Sequence, residues 1–215
     1  MLEDRLDALW TQVAAAGGSH ESVTLCAVTK GQPNAVVALA RAAGLTCLGE
    51  NYSDELLAKA SPTDGIAWHF LGPLQRNKIG KLAPVVSCFQ GLARVAEAET
   101  LSRVAPGARV LVQVDATEKE GRNGVPLEHV TEFLEQLKGL PLTVDGLMTV
   151  APEDRTSAIA CFHAVADLAR SASLPVVSMG MSGDLSDAIA AGSTMIRVGS
   201  ALFGPRGEER PATQG

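Results

Sequence analysis

Aromatic side chains are scarce in this 215-residue chain, at 4% of the sequence against 46% for all hydrophobic types. The core must therefore be filled by Val, Ala, Leu and Ile, which suits parallel strands covered by helices and disfavours an antiparallel sandwich. Cationic residues are in deficit, with 18 Lys and Arg against 24 Asp and Glu and a net charge of -6. No basic stripe exists to track a phosphate backbone, so a nucleic-acid partner is excluded. Only Arg76 to Lys81 is locally basic, and it reads as a solvated helix face. No apolar run reaches membrane-spanning length. The opening segment, Met1 to Ala16, reads as an amphipathic acidic helix without the cationic start and apolar run of a signal peptide. A cytoplasmic protein with no membrane partner is the expectation. Cys26, Cys47, Cys88 and Cys161 lie far apart, with no CxxC pair and no His at zinc-ligand spacing. They are expected to be buried thiols, and no metal is assigned.

What the chain does have is alternation. Eight β-like runs can be counted: Val23 to Thr29, Thr46 to Glu50, Ala67 to Leu71, Val85 to Phe89, Arg109 to Asp115, Thr143 to Val150, Val176 to Met179 and Thr194 to Val198. Helical patterns fill the intervals, clearest at Ala35 to Ala43, Leu127 to Lys138 and Ser157 to Ser171. Eight strand-then-helix units predict an α/β fold, a single (β/α)8 barrel of the TIM type with an extra N-terminal helix. An open doubly wound sheet would carry a Gly-rich turn after the first strand. The turn here is Thr29-Lys30-Gly31-Gln32-Pro33, without that fingerprint. The domain is drawn as residues 1 to 206, with Gly207 to Gly215 as a polar, disordered tail.

In such a barrel the C-terminal strand ends share one face, where function collects. Of the six lysines, only Lys30 directly ends a run as apolar as Val23 to Thr29. Partial desolvation there favours a neutral amine able to condense with an aldehyde; a strand-end lysine with its head in water is the plainer alternative. Arg197 sits inside an apolar strand, on the face that period-two alternation gives to Met195 and Gly199. It needs a partner, for which an internal salt bridge is one candidate. Ser182-Gly183-Asp184 and Gly199-Ser200-Ala201 each lead into a helix and have the makings of a phosphate cup, although Ser182, Asp184 and Ser200 could equally be plain N-caps. Asn51, at the end of the second strand, offers an amide to a ring substituent or caps the next helix. A phosphate cup, a Schiff-base lysine and a cation for a ring nitrogen together fit pyridoxal 5′-phosphate (PLP).

These residues carry a resemblance. Ala27-Val28-Thr29-Lys30, Gly49-Glu50-Asn51-Tyr52, Trp68-His69-Phe70-Leu71-Gly72 followed by Leu74-Gln75-Arg76-Asn77-Lys78, Gly146-Leu147-Met148-Thr149, Ser178 through Asp184, and Gly192-Ser193-Thr194 through Phe203-Gly204 resemble, in order and spacing, the pyridoxal phosphate homeostasis proteins. That family is similar to the barrel half of alanine racemase. The resemblance covers nearly the whole chain. It implies that Lys30 forms the Schiff base, that Asn51 lies beside the ring, that Arg197 faces the pyridine nitrogen, and that Ser182, Gly199 and Ser200 hold the phosphate. Two positions depart from the pattern. Pro73 stands where the family usually has His, and Arg122 where it has the Lys of a Ser-Lys-x-Gly segment; Arg122 also reads as a solvated loop charge.

The resemblance implies a role in PLP supply, with apo PLP-dependent enzymes as partners and no classical turnover. A PLP-dependent amino-acid racemase is the alternative, and a Schiff-base aldolase a further one. An arginine at the pyridine nitrogen discourages ring protonation and weakens the ring as an electron sink. A two-base racemase also needs a second acid or base opposite Lys30, and the sole tyrosine, Tyr52, is expected to pack against its helix. A monomer is expected.

Overall fold

The structure, a computed structural model, describes residues 1–62, 65–117 and 123–205. Arg122 and the tail from Gly207 to Gly215 lie outside the described residues. Helix α1 (Leu2–Ala15) precedes the barrel and buries Leu6, Leu9 and Val13, one stripe of an amphipathic helix. Strands and helices then alternate: β1 (Thr24–Val28), α2 (Val36–Ala42), β2 (Cys47–Glu50), α3 (Ser53–Lys59), β3 (Ala67–Phe70), α4 (Arg76–Leu82), β4 (Val86–Leu92), α5 (Val95–Val104) and β5 (Ala108–Asp115). The second half comprises a two-residue β6 (Val125–Pro126), α6 (Val130–Leu137), β7 (Leu142–Thr149), α7 (Arg155–Ser171), β8 (Val176–Ser178), α8 (Leu185–Ala190), β9 (Met195–Val198) and α9 (Ser200–Phe203). All pairings are parallel. β1 pairs with both β2 and β9, and β4 pairs with β5, so eight strands close into the expected barrel. The ninth, β6, pairs with β5 at Val114 and Asp115, beyond the Val110 and Val112 pairings that β5 makes with β4. Among the described residues, no helix is long and apolar enough to cross a membrane.

The alternation along each strand builds two cores. Outward residues such as Leu25, Ala27, Ile196 and Val198 join the large cluster under the helices. Inward residues form smaller patches, Cys26, Val28, Leu71 and Met195 in one and Cys88, Leu111 and Met148 in another. Helix α4 buries Ile79 and Leu82 and leaves Arg76 and Lys81 exposed, as a solvated basic face requires.

β4 runs three residues past its expected end, because Gly91 is a packing glycine and not a turn. A Cβ on Gly91 would lie 2.2 Å from the Gly72 carbonyl oxygen, and one on Gly72 would lie 2.1 Å from the Asn51 carbonyl oxygen. The two glycines let three strand ends draw together at the barrel mouth. Gly72→Ala is therefore expected to push the Asn51 segment outward and to cost roughly 1–3 kcal/mol, the usual range for overpacking. A urea unfolding curve measures it; an unchanged midpoint would contradict the close approach.

Candidate functional site

Lys30, Asn51, Ser182, Arg197, Gly199 and Ser200 all line one cavity of about 470 Å³ at the C-terminal mouth of the barrel. That volume lies within the range of small-ligand pockets. Val28, Leu71, Met148 and Val150 give it an apolar wall. Pro73 is exposed and lies outside this lining. Tyr52 is 60% exposed and is also outside the lining; it does not make the packed contact expected of it.

Arg197 lies on β9 with its guanidinium buried. Nη1 donates to the Ser178 carbonyl (2.7 Å) and hydroxyl (2.9 Å), and Nη2 donates to the Thr149 carbonyl (2.7 Å). Among the described residues no carboxylate comes within ion-pair distance, so the internal salt bridge weighed for it is not formed. Burial lowers its pKa to about 10, which leaves it charged at neutral pH. The fork spans the ends of β7 and β8, a geometry an ammonium cannot reproduce. Arg197→Lys is expected to cost roughly 1–3 kcal/mol through the carbonyls it leaves unsatisfied, again read by urea unfolding.

The capping alternatives are likewise not realised. The Ser182 and Ser200 hydroxyls make no hydrogen bond within the described residues. Asp184 stands at the N-cap of α8 without a side-chain cap bond; its carboxylate turns back to accept from the Met181 amide at 2.6 Å. The N-cap of α3 is Tyr52, not Asn51. The amides of Ser182 and Gly183 meet no backbone acceptor among the described residues, and in α9 Leu202 and Phe203 donate to the Gly199 carbonyl, which leaves the Ser200 amide without one. Three donors, the amides of Ser182, Gly183 and Ser200, thus line one side of the cavity, where an anion is favoured.

Behind Lys30 lies a network that sequence reading missed. The Lys59 ammonium, buried at the end of α3, donates to Glu50 Oε1 (2.6 Å), Glu55 Oε2 (3.0 Å) and the Thr29 carbonyl (2.8 Å). Glu50 also accepts from the Thr29 hydroxyl (2.9 Å) and the Asn51 amide (3.2 Å), and Glu55 accepts from the Gly31 amide (2.9 Å). Gly31, at φ 70°, takes the left-handed turn that a side chain resists. One buried ion cluster therefore clamps the residues on either side of Lys30 and the start of Asn51. Desolvation raises the Glu50 pKa despite the Lys59 contact.

Comparison with known proteins follows the same outline. Residues 4–207 match the family model for the N-terminal domain of alanine racemase. The pyridoxal phosphate homeostasis protein of Vibrio alginolyticus is 36% identical over 208 residues, spanning 88% of this chain and 89% of the relative. That of Escherichia coli K12 is 35% identical over 222 residues, spanning 95% and 94%. PipY of Synechococcus elongatus, solved with PLP bound, superposes with a TM-score of 0.83 at 33% identity, over 95% of this chain and 100% of PipY. A Clostridium difficile alanine racemase shares the fold alone, with a TM-score of 0.72 at 16% identity over 98% of this chain and 58% of the racemase. The chain belongs to the pyridoxal phosphate homeostasis protein family, built on the barrel of the alanine racemase N-terminal domain.

Proposed function

We propose that the protein holds PLP in the mouth cavity and serves intracellular PLP homeostasis as a monomer in the cytoplasm, releasing the cofactor to apo-enzymes. One observation carries the reading: a buried guanidinium with no carboxylate partner among the described residues shares a cavity with a lysine and with anion-favouring amides. The donor set fits the cofactor. Lys30 would bind its aldehyde as a Schiff base, and Ser182, Gly183, Gly199 and Ser200 would hold its phosphate. Asn51 would flank the ring, and Arg197 would donate to the pyridine nitrogen.

When bound, PLP supplies an electrophilic carbon joined to a conjugated ring, and the chain's own residues decide how much use is made of it. Arg197 remains protonated and can only donate, so it holds the ring nitrogen without giving it a proton. The ring is then a weak electron sink, which favours custody over turnover. The test is reduction with borohydride after loading, followed by mass spectrometry of the digested chain. A pyridoxyl adduct on the peptide containing Lys30 supports the site; an adduct confined to other lysines overturns it. Steady conversion of L-alanine to the D form by the loaded protein would replace custody with racemisation.

A further inference from the structure

Cys26, Cys47 and His69 look unrelated along the chain, yet the barrel brings them together. Ala27 pairs with Leu48, which sets Cys26 beside Cys47 on adjacent parallel strands, and Cys47 is in register with Ala67, two residues before His69 on the same inward face. The two sulfurs and an imidazole nitrogen lie within 4.8 Å of one another. None of the three lines the mouth cavity. We propose that these residues form a zinc site inside the barrel, beneath the cofactor mouth, with water as the fourth ligand.

Four features support the assignment. The first is the donor set: two thiolates and an imidazole suit zinc, and three protein ligands leave one position open for water. The second is charge. Two thiolates neutralise the dication, so the occupied site adds no net charge beside the buried Arg197, which is in register with Cys26. The third is the support for the ring. Gln90, buried on β4, places its Nε2 2.6 Å from His69 Nδ1 and accepts the Ser178 hydroxyl on its Oε1 at 2.7 Å. For Nε2 to carry a metal Nδ1 must hold the proton, so the Gln90 amide turns its carbonyl oxygen to Nδ1–H and its NH2 to the Ser178 hydroxyl, which can accept as well as donate; an outer contact of that kind fixes a ligating imidazole. The fourth is room and access. Cys47 and His69 are only half-buried, whereas Cys26 is fully buried. Gly49 keeps the space beside the Cys26 sulfur open, since a Cβ there would approach it to 2.8 Å.

Binding transfers no electrons. The ion replaces the thiol protons, which leave to solvent.

The experiment uses the full chain, reduced and stripped of metal under anaerobic conditions, and titrates it with cobalt(II) and then zinc(II). A thiolate-to-cobalt charge-transfer absorption should grow to one ion per chain, disappear when zinc displaces it, and be absent in Cys47→Ser. Cys161→Ser should match the wild type, and Gln90→Leu should bind roughly 10- to 100-fold more weakly. Zinc-edge X-ray absorption on the unmodified protein should read two sulfurs and one imidazole, a result that does not depend on how any variant folds. No charge-transfer absorption, an absorption that survives in Cys47→Ser, or a zinc shell of nitrogen and oxygen alone would overturn the site. The proposal does not depend on the cofactor assignment: Lys30→Ala should bind cobalt as the wild type does.

Discussion

Lys30→Ala is expected to abolish the visible absorption that the wild-type protein develops with PLP, and Lys30→Arg should do the same. The arginine control separates the two roles the residue could have. It restores a cation at the cavity wall but cannot condense with an aldehyde, so any signal it kept would be electrostatic in origin. The non-covalent holders stay in place in both variants, because Arg197 is fixed by Ser178 and Thr149 and the amides of Ser182, Gly183 and Ser200 belong to the backbone. Binding should therefore weaken without vanishing. Thermal unfolding supplies the second measurement. A ligand at about a hundred times its Kd stabilises the folded state by roughly 2.7 kcal/mol, or about 5 to 10 °C for a chain of this size. The wild type should show that rise with PLP and both variants should lose most of it. Equal rises in all three proteins would remove Lys30 from the site.

The barrel and the mouth were legible in the sequence because both are written in local patterns. Each strand announces itself by an apolar run, and parallel topology then places every residue that follows a run, such as Lys30 or Asn51, on the same face. Glycine was where local reading failed. Gly91 looks like the end of a strand, but its missing side chain admits the Gly72 carbonyl in mid-strand. Partnerships across the barrel were also hidden. Arg197 could be recognised as needing acceptors, but not that they would be the Ser178 and Thr149 carbonyls. Cys26, Cys47 and His69 each sit one strand further along, so no spacing rule for metal ligands connects them. Lys59 looks like any helical surface lysine, and only the position of α3 against the ends of β1 and β2 turns its ammonium inward.

That lysine gives the largest expected loss of stability. Lys59→Met keeps most of the aliphatic stem but removes the cation from a site where Glu50 is fully buried. Breaking a buried pair by removing one partner costs about 3–5 kcal/mol, because the remaining charge is left without compensation. The penalty should depend on pH in a definite direction. Desolvation already raises the Glu50 pKa with Lys59 present, and removing the ammonium raises it further. An acid whose folded pKa is raised contributes stability that is present below its unfolded value, near 4.5, and is lost as pH rises through the folded value. The gap between Lys59→Met and wild type should thus be small in mild acid and widen toward neutrality, by at most about 1.4 kcal/mol per pH unit for one proton. Adding Glu50→Gln should flatten that pH dependence and recover part of the stability, since no buried charge is then stranded. The cluster also holds Thr29 and Gly31 on either side of Lys30. The double variant should therefore regain stability more fully than it regains the PLP absorption, because the Lys59 ammonium that held the Thr29 carbonyl is still missing. Equal recovery of both would show that the clamp serves only the fold and does not position the cofactor lysine.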